Sequence, residues 1–104
     1  MAEFERISVD AARDMIDAGA VVVDVRDEDS YRSAHIPGAL YLDNTTVQDF
    51  IESADHSAPL VIYCYHGNSS QGAAAFFHEK GFEKTYSVDG GFEEWRTRFP
   101  VEPG

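Results

Sequence analysis

Two short apolar runs constrain this chain more than any other feature: residues 20–25, AVVVDV, and residues 60–63, LVIY. The first is β-branched and too apolar to alternate, so it predicts a strand covered on both faces, the condition of interior strands in a parallel sheet. The second has the same buried-strand character. Stretches between and around them carry helix signals. Ser8 is positioned to cap a helix in which Ala12, Met15 and Ile16 share a face, with Gly19 as its terminator. Ahead of it, residues 4–7 allow only a short strand.

Beyond Asp24 and Arg26, a polar turn leads to Ser30, which is predicted to cap a short helix over residues 31–35. Pro37 and Gly38 punctuate the next turn, and residues 40–42 form another brief strand. Asp43 or Asn44 is predicted to cap a helix whose apolar positions Val47, Phe50, Ile51 and Ala54 follow i, i+3, i+4, i+7. A helix from Ser70 to Lys80, slim at Gly72, Ala73, Ala74 and Ala75, precedes a last strand over residues 85–88. Asp89 is expected to cap a final helix striped by Phe92, Trp95 and Phe99 and stopped by Pro100, leaving residues 101–104 as a loose tail. Strand and helix patterns alternate throughout, which is the signature of an α/β fold with helices on both faces of an open parallel sheet. Ligands of such sheets bind beyond the carboxyl ends of the strands.

The only cysteine, Cys64, sits at one such end, in LVIYCYHGNSSQG. Asn68, Ser69 and Ser70 read as capping residues, so the loop should curl from the strand into a helix N-terminus and turn successive N–H groups inward. A strained, exposed and amide-rich position of this kind favours the thiolate and should hold the thiol below the roughly 8.5 of a free cysteine. The plain alternative is that Cys64 is a small buried hydrophobe.

Charge narrows the partners. The 104 residues carry a formal net charge of -11 with a pI near 4.5, which argues against nucleic acid and against an anionic membrane surface. Any anionic substrate must then be held by local amide dipoles rather than by the overall field. No apolar run approaches the roughly 20 residues of a spanning helix, and no stretch reads as a signal peptide. A lone cysteine forms no internal disulfide, so a reducing cytoplasm is the expected compartment and one domain over residues 1–104 the expected organisation.

Three separated stretches, DVRDEDSYRSAHIPGA from Asp24, CYHGNS from Cys64 and VDGGFEEW from Val88, together resemble the rhodanese sulfurtransferases across nearly the whole chain. The resemblance implies a five-stranded parallel sheet in the order 1-5-4-2-3, flanked by helices on both faces. It implies a thiosulfate sulfurtransferase: Cys64 takes the outer sulfur of thiosulfate as a persulfide, releases sulfite, and passes the sulfur to cyanide or to a dithiol such as thioredoxin. It also implies that Tyr65, His66, Gly67, Asn68, Ser69 and Ser70 bind that sulfur mainly through backbone N–H groups, with hydroxyls available at Ser69 and Ser70. No cofactor is implied. Many members of the family place Arg or Lys inside this loop; here His66 is the only candidate cation.

Other readings compete. A cysteine phosphatase or arsenate reductase needs an Arg six residues after the cysteine to hold the oxyanion, and Ser70 stands there. A sulfur-carrying or binding module passing persulfide sulfur to a protein partner would use the same site. Asp24 and Arg26 at a strand end more often brace loops than touch substrate, and His35 reads as a hydrogen-bonded residue rather than a base. Cys64 and His66 together suggest a metal pair, but His35, His56 and His78 show no ligand spacing and a second cysteine is missing, so no metal is expected.

Overall fold

The structure is a computed structural model that describes residues 4–104. Five strands, β1 (Glu5–Ile7), β2 (Val21–Asp24), β3 (Leu40–Tyr41), β4 (Leu60–Tyr63) and β5 (Thr85–Val88), form one sheet in the order β1-β5-β4-β2-β3. Every pairing is parallel, with Val21 opposite Leu60 and Leu60 opposite Thr85 fixing the register of the interior. The two apolar runs are interior strands, as their patterning requires, and β4 is the middle one.

Five helices cover the sheet: α1 (Val9–Asp17), α2 (Glu28–Ser33), α3 (Val47–Ser53), α4 (Ser69–Glu79) and α5 (Gly91–Trp95). Alternation along the strands divides the core in two. Val22, Val61, Tyr63 and Val88 face α1 and α5, where Val9, Ala12, Phe92 and Trp95 pack against them. Val23, Leu60 and Ile62 face α3 and α4, where Ile51, Ala74 and Phe77 close the other layer. A one-residue slip in β2 or β4 would exchange these sets, so the two packed layers hold the strand ends, and the loops that leave them, in register.

Several boundaries differ from the sequence-based expectation, each for a local reason. Ser8 caps α1 as expected, accepting from Ala11 N at 3.1 Å. The next helix, however, begins at Glu28 rather than beyond Ser30, because the Asp27 carboxylate accepts the Ser30 N–H and caps it three residues earlier. Asp43 caps a turn, taking the N–H groups of Thr45 and Thr46, so that α3 starts one turn later behind Thr46. Asp89 caps nothing: it pairs with Arg6 at 2.9 Å, and Gly90 stands at the cap of α5, which ends by Trp95, well short of Pro100. The tail expected to be loose is exposed, yet an antiparallel bridge joins Glu102 to His35, and Gly104 N donates to Arg32 O at 2.9 Å.

Beneath the carboxyl edge lies a buried polar knot. Asp24 and Arg26 pair at 2.6 Å with side chains 0% and 2% exposed, and Arg26 Nη2 also donates to Ala34 O at 2.7 Å. Tyr63 OH donates to Asp24 Oδ2 at 2.7 Å and accepts the Ile36 N–H at 3.2 Å. Burial, reinforced by the Asp24 carboxylate, pushes the Tyr63 hydroxyl well above its ordinary pKa, so it stays a donor. The pair therefore braces loops, tying β2, β4 and the 34–36 turn together. His35 is likewise structural, stacked on Tyr31 at 3.9 Å with Nδ1 on the Tyr31 carbonyl. Removing one partner from a buried network leaves the others unsatisfied, so Tyr63→Phe should lower unfolding free energy by about 1–3 kcal/mol in denaturant titration with an unchanged slope. A loss under about 0.5 kcal/mol would show that the knot does not hold the strand ends.

Candidate active site

Cys64 is the first residue beyond β4, and the four residues after it return the chain to α4, which begins at Ser69. It is not the exposed position the sequence suggested: the residue is only 5% exposed, at the floor of an open cleft of about 340 Å³. No non-glycine residue among those described adopts positive φ, so the sharp turn is absorbed by Gly67 at φ +94°. A side chain there would also meet Val88 O at 3.0 Å and Gly90 N at 3.1 Å, which explains glycine at that point in the loop.

The sulfur is the centre of the loop's hydrogen bonding. Gly67 N donates to Sγ at 3.3 Å and Ser70 N at 3.2 Å, while Ser70 Oγ lies 3.3 Å away. Asn68 makes no side-chain cap on α4; Sγ of Cys64 takes the first-turn Ser70 N–H that a capping oxygen would otherwise accept. Burial pushes the Cys64 thiol up, but the Ser70 hydroxyl and the N–H groups of Ser70, Gly67 and His66 outweigh it and hold the thiol below its ordinary value. The thiolate form is thus favoured by dipoles, without any charged partner in contact with the sulfur.

Not every residue expected around the sulfur reaches it. Gly67 and Ser70 do, through backbone N–H groups and the Ser70 hydroxyl, while His66 adds only the weaker pull of its N–H dipole. Asn68 and Ser69 line the cleft above it, exposed, as does Tyr65. The Tyr65 side chain turns toward α2, where its hydroxyl donates to Asp27 Oδ1 at 2.7 Å and meets Ser30 Oγ. Those bonds hold the Asp27 carboxyl down at about 2, so a fixed negative charge stands at the rim. Arg26 shares the cleft wall, yet its guanidinium is committed to Asp24 and packed 4.0 Å over the Phe92 ring.

Two contributions were invisible to the sequence reading. Ser87, on β5, places Oγ 2.8 Å from Ser70 Oγ with both residues fully buried; when Ser87 donates in this pair, the Ser70 proton is left for a Cys64 thiolate. The first turn of α5 captures the loop's carbonyls: Phe92 N donates to Cys64 O at 2.8 Å and Glu93 N to Tyr65 O at 3.0 Å. Gly91 permits this contact, since a Cβ there would lie 2.5 Å from Tyr65 O. A serine in a strand and two glycines before a helix give no positional signal by themselves, because their role depends on a pairing made across the fold.

Among the described residues, no carboxylate or imidazole side chain hydrogen-bonds Sγ, and no group of His, Cys, Asp or Glu is placed to hold a metal ion. The arrangement can stabilise a sulfur anion but offers no general base or acid in contact with it. It also lacks the guanidinium that phosphoryl transfer from this loop would need, since Ser70 fills that place with a buried hydroxyl.

Comparison with known proteins points the same way. Residues 8–98 match the family model described as the rhodanese-like domain. The chain is 52% identical over 102 residues to thiosulfate sulfurtransferase GlpE of Pseudomonas fluorescens strain SBW25, spanning 98% of this chain and 94% of that one. It is 54% identical to the GlpE protein of Pseudomonas syringae pv. syringae, spanning 98% and 96%. Among solved structures, it is similar to the rhodanese-like domain of the Anabaena protein Alr3790, with TM-score 0.84 and 22% identity over 95% of this chain and 79% of that one. It also resembles a Rhodopseudomonas palustris protein described as a possible tyrosine phosphatase, with TM-score 0.80 and 26% identity over 95% and 85%.

Because alkylation follows the thiolate fraction, the Cys64 rate with iodoacetamide should rise with pH through a midpoint below the roughly 8.5 of an ordinary thiol. Ser87→Ala should move that midpoint upward and Ser70→Ala further. An unmoved midpoint in Ser87→Ala would remove Ser87 from the site.

Proposed function

Since the chain belongs to the rhodanese-like domain family, we propose that it is a thiosulfate sulfurtransferase in which Cys64 carries the transferred sulfur. The observation that supports this best is the convergence of Gly67 N, Ser70 N and Ser70 Oγ on Sγ, with no acid or base beside it. In the first half-reaction the Cys64 thiolate attacks the outer sulfur of thiosulfate. The bond between the two thiosulfate sulfurs breaks, its electron pair leaves with sulfite, and Cys64 is left as an anionic persulfide. Sulfite departs as a stable anion and needs no proton, so a site without a general acid suits the reaction.

In the second half-reaction a thiophile attacks the outer persulfide sulfur, and the electron pair of the sulfur–sulfur bond returns to Cys64. Cyanide would leave as thiocyanate; a thiol or dithiol protein, thioredoxin among them, would leave carrying the sulfur. Throughout both steps the protein's task is electrostatic. It holds a negative sulfur species among N–H groups fixed around the buried Cys64, where preorganised dipoles act strongly. Tyr65, Asn68 and Ser69 line the cleft above Sγ into which the outer sulfur and the departing sulfite would project. With Arg26 committed to Asp24 and Asp27 ionised at the rim, thiosulfate binding should be weak.

Treatment with thiosulfate should make the intact protein heavier by one sulfur atom, and cyanide should strip that atom with stoichiometric thiocyanate. Cys64→Ser, nearly isosteric, should keep the fold and lose turnover by at least about 10³-fold. Appreciable turnover in that variant, or sulfur gained without Cys64, would overturn the assignment.

A further inference from the structure

A second cleft, about 350 Å³, opens beside the one above Cys64 and shares with it the wall made by Val25 and Arg26. Its apolar floor comes from Leu42 and Val47 on one side and from Ala73, Phe76 and Phe77 of α4 on the other. Ser69, Ala73 and Phe76 fall at i, i+4 and i+7, on one face of α4. Ser69 lines the mouth over the sulfur, while Ala73 and Phe76 line the second cleft. At the rise of an α-helix, those seven residues carry the continuous groove about 10 Å away from the mouth, a span that an extended chain covers in about three residues.

Charge along the groove is uneven. Asp27 stands exposed at the rim beside the mouth and Asp43, half-buried, beside the neighbouring cleft, and the hydrogen bonds from Thr45 and Thr46 hold the Asp43 carboxyl below its usual range. Arg26 is spent on Asp24. The cation further along is Lys80, 5.5 Å from the Phe76 ring at the end away from the sulfur. Phe76 itself is 40% exposed, an aromatic surface left uncovered next to a site that must receive a second substrate.

We propose that this groove docks the sulfur acceptor as an extended, cysteine-bearing protein segment, with a basic residue next to the cysteine and a large apolar side chain about three positions away. The apolar side chain seats between Val47, Ala73 and Phe76; the basic residue faces Asp27 and Asp43. A basic neighbour also lowers the acceptor thiol's pKa, so the thiol arrives as thiolate after losing its proton to solvent. That thiolate bonds to the outer sulfur of the Cys64 persulfide, the sulfur–sulfur bond to Cys64 breaks, and its electron pair restores the Cys64 thiolate. No oxidant or reductant is consumed. The inference rests on the sulfurtransferase reading of Cys64 and adds the acceptor's chemistry to it.

The test uses the full chain with thiosulfate as donor and four acceptors: cyanide, a hexapeptide with Lys beside Cys and Phe three positions on, the same peptide with Glu for Lys, and the same with Ser for Phe. The Lys/Phe peptide should show a KM about tenfold below either altered peptide, roughly what half-burying one aromatic ring is worth. Phe76→Ala should raise its KM several-fold, as should Asp43→Asn, which keeps the side-chain carbonyl that caps Thr45. Both variants should leave the rate with cyanide within about twofold of the unaltered protein. Equal KM for the three peptides, or a fall in the cyanide rate matching the fall with peptide, would overturn the groove alone. Absence of cyanide turnover in the unaltered protein would overturn the sulfurtransferase reading and the groove with it.

Discussion

The site depends on where two carbonyls point. Cys64 O and Tyr65 O are taken up by Phe92 N and Glu93 N at the start of α5. In a planar trans peptide the N–H lies opposite its carbonyl, so drawing these two carbonyls toward α5 turns the Tyr65 and His66 N–H groups away from that helix and fixes the start of the turn from which Gly67 N and Ser70 N reach the sulfur. The contact is backbone against backbone, and Gly67 and Gly91 make it possible from the two sides. Any Cβ at Gly91 would force the loop off the helix and let its amides turn away.

This arrangement resolves a tension between the protein's charge and its chemistry. A chain with a net charge of -11 repels anions at a distance, and its buried guanidinium in this region, Arg26, is neutralised by Asp24 as part of the knot that holds β2 to β4. Charge for a sulfur anion must therefore come from peptide dipoles, which carry no net charge and are fixed in place before any substrate arrives. Burial works against the thiolate, and the Ser70 hydroxyl with the surrounding N–H groups reverses it. The same bonds, lacking a fork of donors like that of arginine, suit a compact polarisable sulfur better than a phosphoryl group with three oxygens.

The two β-branched and apolar strands, the α1 cap at Ser8, the striped face of α3 and the buried Phe92 and Trp95 of α5 were legible because patterning and burial enforce them locally, whereas Phe99 lies beyond the end of α5. The helix starts were less so. Ser30, Asn44 and Asp89 are all competent caps by residue type, and the choice among neighbouring candidates was made by contacts: Asp27 reached back to Ser30, and Arg6 on the adjacent strand took Asp89. Cys64 could be found from its place at a strand end before a helix. Its burial could not, nor could the sulfur's use as the acceptor at the head of α4, because both depend on α5 and β5 closing over the loop. Ser87 and Gly91, some 23 and 27 residues downstream in the sequence, entered the site only through the sheet order that sets β5 beside β4.

The central claim is that peptide amides, without a basic side chain, hold the sulfur that Cys64 carries. The most direct measurement is a high-resolution crystal structure of protein treated with excess thiosulfate. The account expects a second sulfur on Sγ lying within hydrogen-bond reach of the N–H groups of the 65–70 loop, with the Arg26–Asp24 pair intact. A second sulfur directed into solvent or held by a freed Arg26 guanidinium, or a bare thiol under saturating donor, would contradict it.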